Sequence, residues 1–235
     1  MKNKCDFTFR HYEEILKTAK QKGFKFTFFS KKSFKKTIYL RHDIDVSLEN
    51  ALKIAEIEKK YKVHSTFFIR THTLFYNPIS PDSLKMIKKI INLGHKIGLH
   101  YDGVIKKGLE KMIQKEFSYL QNYFPISKVV SFHHPSPKVF GLEMKNFINT
   151  YNSYFFKECD YISDSNRDLK KGCIKEFIEK TESNRIQVLT HPIWWNEKNL
   201  NLKQIYRNFL KIKEKEIVEE LKSTIKRYKI FFEKL

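Results

Sequence analysis

The run Leu40-Arg41-His42-Asp43-Ile44-Asp45 closes a short β-rich segment, 37–41 (TIYLR), and opens onto Ser47 and a helical pattern. Apolar residues Leu48, Ala51, Ile54, Ala55, Ile57 and Tyr61 recur there at three- and four-residue steps. This stretch therefore reads as a strand, a polar tip and a capped helix. The alternation continues outward from it. Segment 65–69 (STFFI) reads as a strand, and the next helix has Ser80 as cap, Pro81 in its first turn, Leu84, Ile87 and Ile91 on one face, and Gly94 as its stop. Strand 96–99 (KIGL) runs into His100, and a helical stretch over 105–123 ends before Pro125. Strand 128–132 (KVVSF) runs into His133-His134-Pro135, a strand near 160–163 into Asp164, and 186–190 (IQVLT) into His191. Alternating units of this length imply an α/β fold with parallel strands and helical crossovers, either a barrel or an open doubly wound sheet.

Asp43, Asp45, His100, His133, Asp164 and His191 each fall at or just past the C-terminal end of a predicted strand. In a β/α barrel that rim gathers catalytic residues, because the loops there vary freely on a fixed scaffold. Asp43 and Asp45 are two apart on extended chain, so both point to the same side. Their repulsion is relieved if one holds a cation and the other moves a proton. The pair alone reads equally well as a solvated turn in which one Asp caps the following helix.

These residues carry a resemblance. Leu40-Arg41-His42-Asp43-Ile44-Asp45, followed by the helix and Ser65-Thr66-Phe67-Phe68, resembles the opening motif of the polysaccharide deacetylases, the NodB-homology group or carbohydrate esterase family four, in its "RHD-x-D" form. Gly94-His95-Lys96-Ile97-Gly98-Leu99-His100 resembles the second motif, and Phe132-His133-His134-Pro135 lies where the third belongs. Ile162-Ser163-Asp164-Ser165 resembles the fourth and Leu189-Thr190-His191-Pro192 the fifth, in order from residue 37 to about 195. The resemblance implies an irregular β/α barrel and a metal-dependent hydrolase that removes an acyl group from an N-acylated amino sugar or glycoconjugate precursor in surface-polysaccharide synthesis. It implies Asp43 as general base, Asp45 and His100 as ligands of a divalent metal (zinc, with cobalt, nickel or manganese as alternatives), and His191 as general acid oriented by Asp164.

The chain departs from that pattern twice. Val104 stands four after His100, where the family has a second His. A catalytic zinc site needs three protein ligands. His133 is the best replacement, with His134 and Asp102 as the other candidates. Asp102 reads alternatively as a partner that fixes the tautomer of His100. The Arg of the third motif is also absent, leaving Arg41 or Arg167 to steady the base. These gaps motivate a rival reading, a non-catalytic carbohydrate-binding or scaffold domain on the same fold. Trp194 and Trp195 read either as a sugar-binding wall or as core. His11, His64 and His72 read as structural or surface residues, His42 packs behind the strand, and His95 follows a helix end that favours a cation.

Composition bounds the rest. The chain has 235 residues, a formal net charge of +20, and 39 lysines beside only seven arginines. Arginine is the residue favoured for bidentate phosphate contacts, and no nucleic-acid motif accompanies the charge, so a basic nucleic-acid- or membrane-binding module ranks behind an enzyme. No stretch is apolar enough to cross a membrane. The opening MKNKCDFTFRHYEEIL has no apolar core segment and no small-residue cleavage site, so a cytoplasmic protein meeting a small-molecule or lipid-linked amino-sugar substrate is expected. Cys5, Cys159 and Cys173 are odd in number and scattered, which argues for reduced thiols and against a disulfide framework or a zinc knuckle. No cysteine has a base beside it in sequence. One domain over 1–235 is expected, with a core at about 37–195, a helical segment 9–22 and a long amphipathic helix 202–235 packed on it.

Overall fold

The structure is a computed structural model that describes residues 5–30, 34–103, 106–168 and 172–224. By its contacts the chain divides into two units, Met1–Lys198 and Asn199–Leu235.

The first unit is built on eight strands, all paired in parallel: β1 Lys25–Thr27, β2 Thr37–Ile44, β3 Thr66–Ile69, β4 Lys96–Tyr101, β5 Val129–Phe132, β6 Ile148–Asn149, β7 Asp160–Ser163 and β8 Arg185–Thr190. They run in the order β6-β5-β4-β3-β2-β8-β7, and β1 pairs with the first residues of β2, Thr37 to Tyr39. Helices α1 Phe9–Gln21, α2 Leu48–Lys60, α3 Pro81–Asn92, α4 Leu109–Gln121 and α5 Ile174–Lys180 accompany the strands. This is the expected α/β architecture, a half-barrel of parallel strands with helices around it. Two short strands, β1 and β6, lie outside the predicted set.

Strand β2 organises the molecule. All eight of its residues are buried. Ile38, Leu40 and Ile44 join the large core beneath the helices, while Tyr39 belongs to a second cluster with Phe29, Phe68, Val129, Phe155 and Cys159. Arg41 and Asp43 share the face of Tyr39, because side chains alternate along a strand. Curvature is fixed from inside. Gln187 of β8 donates through Nε2 to the carbonyls of Thr150 and Phe155, in the segment that follows β6. The next-to-last strand in the order is thereby tied to the segment that follows the first.

Local signals explain the helix ends. Ser47 accepts from the Asn50 amide and Ser80 from the Ser83 amide, each capping its helix, and Pro81 occupies the first turn of α3. The helix expected over 105–123 is shorter, Leu109–Gln121, because Gly108 takes a left-handed φ of 82° and starts it afresh. Val104 and residue 105 lie outside the described residues.

The second unit contains α6, Leu202–Thr224. The remainder of the helix expected to 235 lies outside the described residues. Tyr206, Leu210, Ile212 and Ile217 on α6 are exposed. Among the described residues no helix is long and apolar enough to cross a membrane.

Candidate metal and acid–base site

The ends of β2, β4, β5, β7 and β8 bring six predicted residues to one rim. Asp43 is nearly fully buried and held in a two-pronged fork: Arg41 Nε donates to Oδ1 at 2.8 Å and Nη2 to Oδ2 at 2.7 Å. Arg41 itself is fully buried and satisfied. It donates to Tyr151 Oη (3.0 Å), Thr150 Oγ1 (2.9 Å) and Gln187 Oε1 (3.4 Å), and its guanidinium lies over the Tyr151 ring. Burial pushes the Asp43 carboxyl up, but the charge and hydrogen bonds of Arg41, together with the charges of His100 and His191, outweigh it and hold the group well below the usual carboxylate range. Of the two arginines considered for steadying Asp43, Arg41 is the one that binds it; Arg167 lies over the Phe7 ring.

Asp45 sits just past β2 at the centre of the constellation. Its Oδ1 lies 2.9 Å from His100 Nε2 and 3.8 Å from His133 Nε2, and its Oδ2 lies 3.7 Å from His191 Nε2. Asp45, His100 and His133 each offer a ligand atom within 4.8 Å of the others. Their outer contacts decide what those atoms are. Ser131 donates to Asp43 Oδ1, so its oxygen accepts from His100 Nδ1 at 2.6 Å. Asp102 Oδ1 accepts from His133 Nδ1 at 3.0 Å, and Arg70 donates to the other Asp102 oxygen. Both imidazoles thus spend their proton outward and turn a lone pair toward Asp45. The buried Asp45 Oδ1 accepts no hydrogen bond. Two lone pairs and a carboxylate oxygen repel one another unless a cation lies among them, so the donor set fits a divalent metal. Asp102 orients His133 rather than His100, and His134 is exposed, tilted against the His133 ring and outside the set.

His191 faces this set from β8. Its backbone amide and Nδ1 both bond to Asp164, the latter at 2.7 Å, and Trp195 Nε1 donates to the second Asp164 oxygen at 2.9 Å. Burial disfavours the imidazolium, but the Asp164 hydrogen bond and charge override it and raise the pKa of His191 to about 9. Trp195 is buried against Phe7 and Tyr12, so of the two readings core is the right one for it. Tyr76 ties β2 to β3 below the rim: its hydroxyl donates to the Ile44 carbonyl and accepts from the Arg70 amide.

Behind β2 a second polar cluster locks the strand. Glu58 of α2 is fully buried and accepts from Tyr12, His42 and Ser65. His95, expected to carry a proton at a helix end, is buried beside Ser65 and donates Nε2–H to the Ala55 carbonyl. Burial lowers its pKa and outweighs the nearby Glu58 and the hydrogen bond to Ala55. His11, read as structural or surface, is buried between the sulfurs of Cys5 and Cys173. That contact joins distant segments and leaves no local spacing signal.

No protein-family model and no curated protein matches the chain. Among solved structures it is similar to a CE4 family pseudoenzyme from Bacillus anthracis (15% identity over 75% of this chain and 61% of that one, TM-score 0.45). It is also similar to a family 4 carbohydrate esterase from Bacillus anthracis (18%, 87% and 86%, TM-score 0.43). A third is the chitin deacetylase of the fungal pathogen Colletotrichum lindemuthianum (15%, 75% and 81%, TM-score 0.41). The chain spans about three fifths of the length of the pseudoenzyme. Two of these three are described as family 4 proteins, one an esterase and the other a pseudoenzyme. The likeness is one of fold.

Proposed function

We propose that this protein is a metal-dependent hydrolase that removes an acyl group, by amide cleavage, from an N-acylated amino sugar or a glycoconjugate precursor of surface polysaccharide. The observation that carries the reading is the convergence of His100 and His133 Nε2 on one oxygen of Asp45 while the His191 imidazole faces the other. Asp45, His100 and His133 would hold a divalent cation, zinc being the best match to a carboxylate with two imidazoles, with cobalt, nickel or manganese as alternatives. Such a cation supplies Lewis acidity that polarises an acyl carbonyl and acidifies water.

The chain's own residues do the rest. Asp43 accepts the proton of the attacking water, and the Arg41 fork keeps that carboxylate charged and aimed. His191, protonated at neutral pH, gives its Nε2 proton to the departing amine nitrogen. Asp164 holds its ring by Nδ1, and Trp195 fixes Asp164. Proton acceptor and donor lie on different strands of one rim, so no covalent intermediate is required. A cytoplasmic protein of this kind would meet a soluble sugar nucleotide or a lipid-linked intermediate rather than finished wall polymer.

The test is the metal content of the purified protein beside Asp45→Ala and His100→Ala, followed by acetate release from N-acetyl amino sugars. Near-stoichiometric metal lost from both variants, with acetate released only by the loaded wild type, is the expected result. Absence of metal after reconstitution overturns the reading and leaves a carbohydrate-binding domain in its place.

A further inference from the structure

Away from the rim, two cysteines and a histidine from separate parts of the chain meet beside α1. His11 Nε2 lies 3.3 Å from Cys5 Sγ and 3.1 Å from Cys173 Sγ, and the three donor atoms lie within 4.8 Å of one another. Nothing in the Asp43–Asp45 chemistry uses them. The imidazole is aimed: Glu14 Oε2 accepts from His11 Nδ1 at 3.2 Å, which leaves Nε2 as the atom facing both sulfurs. His11 and Cys173 are buried and Cys5 is half-buried.

The spacing suits a tetrahedral ion. Zinc–sulfur and zinc–nitrogen bonds of about 2.3 and 2.0–2.1 Å place sulfur and nitrogen roughly 3.6 Å apart across a tetrahedral edge. The two observed separations fall within about half an ångström of that. A disulfide between the two sulfurs would give the imidazole between them no role, whereas a metal uses all three groups. The carboxylate behind the histidine is the usual outer partner of a metal-bound imidazole.

We propose that Cys5, His11 and Cys173 form a second metal site, selective for a thiophilic cation such as zinc. Two thiolates and one imidazole bind the ion, and the fourth position is left to water. Binding releases one proton from each thiol and transfers no electron. The ion pins the segment preceding α1 to the residue that precedes α5. It sits one ring behind the acid: His11 stacks on Trp195, which donates to Asp164.

Cobalt(II) distinguishes this site from the rim, because only a cysteine-bound cobalt gives a thiolate-to-metal charge-transfer band in the near ultraviolet. The full chain, reduced and titrated with cobalt, should develop that band. Asp45→Asn should keep it, and Cys5→Ser and Cys173→Ser should each lose it. Glu14→Gln should weaken the cobalt affinity read from the band by about 10- to 100-fold. In the wild type, zinc should shield Cys5 and Cys173 from a thiol reagent until a chelator is added, a readout that needs no variant. No band in the reduced wild type, a band surviving in the double Cys5→Ser/Cys173→Ser protein, or a Cys5–Cys173 disulfide formed in the presence of zinc would each overturn the proposal. A failure of the rim site leaves this band untouched, so the two readings stand or fall separately.

Discussion

A carboxylate serves as a proton acceptor only while it is charged and still, and at Asp43 both conditions depend on Arg41. Lysine cannot reproduce the fork, since it offers a point charge where the guanidinium offers a planar pair of donors. Arg41→Lys should destabilise the fold by about 3–5 kcal/mol, the scale for breaking a buried ion pair, and denaturant unfolding measures it. A loss under 1 kcal/mol would mean the fork is not what holds Asp43. Trp195→Phe is gentler. It keeps the ring against Phe7 and Tyr12 but removes the donor to Asp164, costing about 1–3 kcal/mol, and under the proposed mechanism it lowers kcat more than it raises KM. An unchanged kcat would detach Trp195 from the acid. At this scale the rim positions were legible because Asp43, Asp45, His100, His133, Asp164 and His191 each follow a readable strand. What each group touches was not. That Asp102 backs His133 rather than His100 depends on how the sheet curls, which one-dimensional spacing does not encode. The Cys5–His11–Cys173 contact is hidden for the same reason.

Between residue and fold, strand β4 shows how a missing side chain positions a charged one. A Cβ on Gly98 would lie 2.6 Å from Phe68 Cε1 and 3.0 Å from the Val129 carbonyl oxygen. Phe68 in turn lies beneath the Arg41 guanidinium, 5.5 Å from its ring centre. Gly98→Ala should therefore push Phe68 toward Arg41 and cost about 1–3 kcal/mol as an overpacked core site. If the midpoint of thermal unfolding does not fall, the interior is looser than the contacts imply. Element identity was largely readable: the strands leading to the six rim residues and the caps at Ser47 and Ser80 all announce themselves locally. The misses have physical causes. Strands β1 and β6 are three and two residues long, too short for a period to show. The start of α4 was set by the backbone of Gly108 rather than by the apolar pattern, which continues on both sides of it.

At the scale of the whole molecule, the Glu58 cluster joins α1, α2, β2 and the approach to β3 through one buried carboxylate, and it ties stability to pH. Burial would raise the pKa of Glu58, yet His42, His95 and Ser65 together hold it below its ordinary value of 4.5. A carboxyl depressed in the folded state stabilises the fold above its unfolded pKa and loses that contribution as pH falls. His95 acts in the same direction by a different route. Burial lowers its folded pKa below 6.5, so the unfolded chain takes up the proton first and folding is penalised as pH drops. The +20 charge adds to the trend, because protonating carboxylates leaves the lysines to repel one another. Unfolding free energy should therefore decline in two stages, beginning below about pH 6.5 with His95 and steepening below about pH 4.5 with Glu58. Glu58→Gln should lose about 3 kcal/mol near pH 7, where it leaves donors facing an amide, and the second stage should flatten in that variant. Urea unfolding at a series of pH values measures both. A wild-type stability that stays level from about pH 7 to about pH 4 would show that the cluster is not a charged clasp, and that apolar packing alone holds β2 in place.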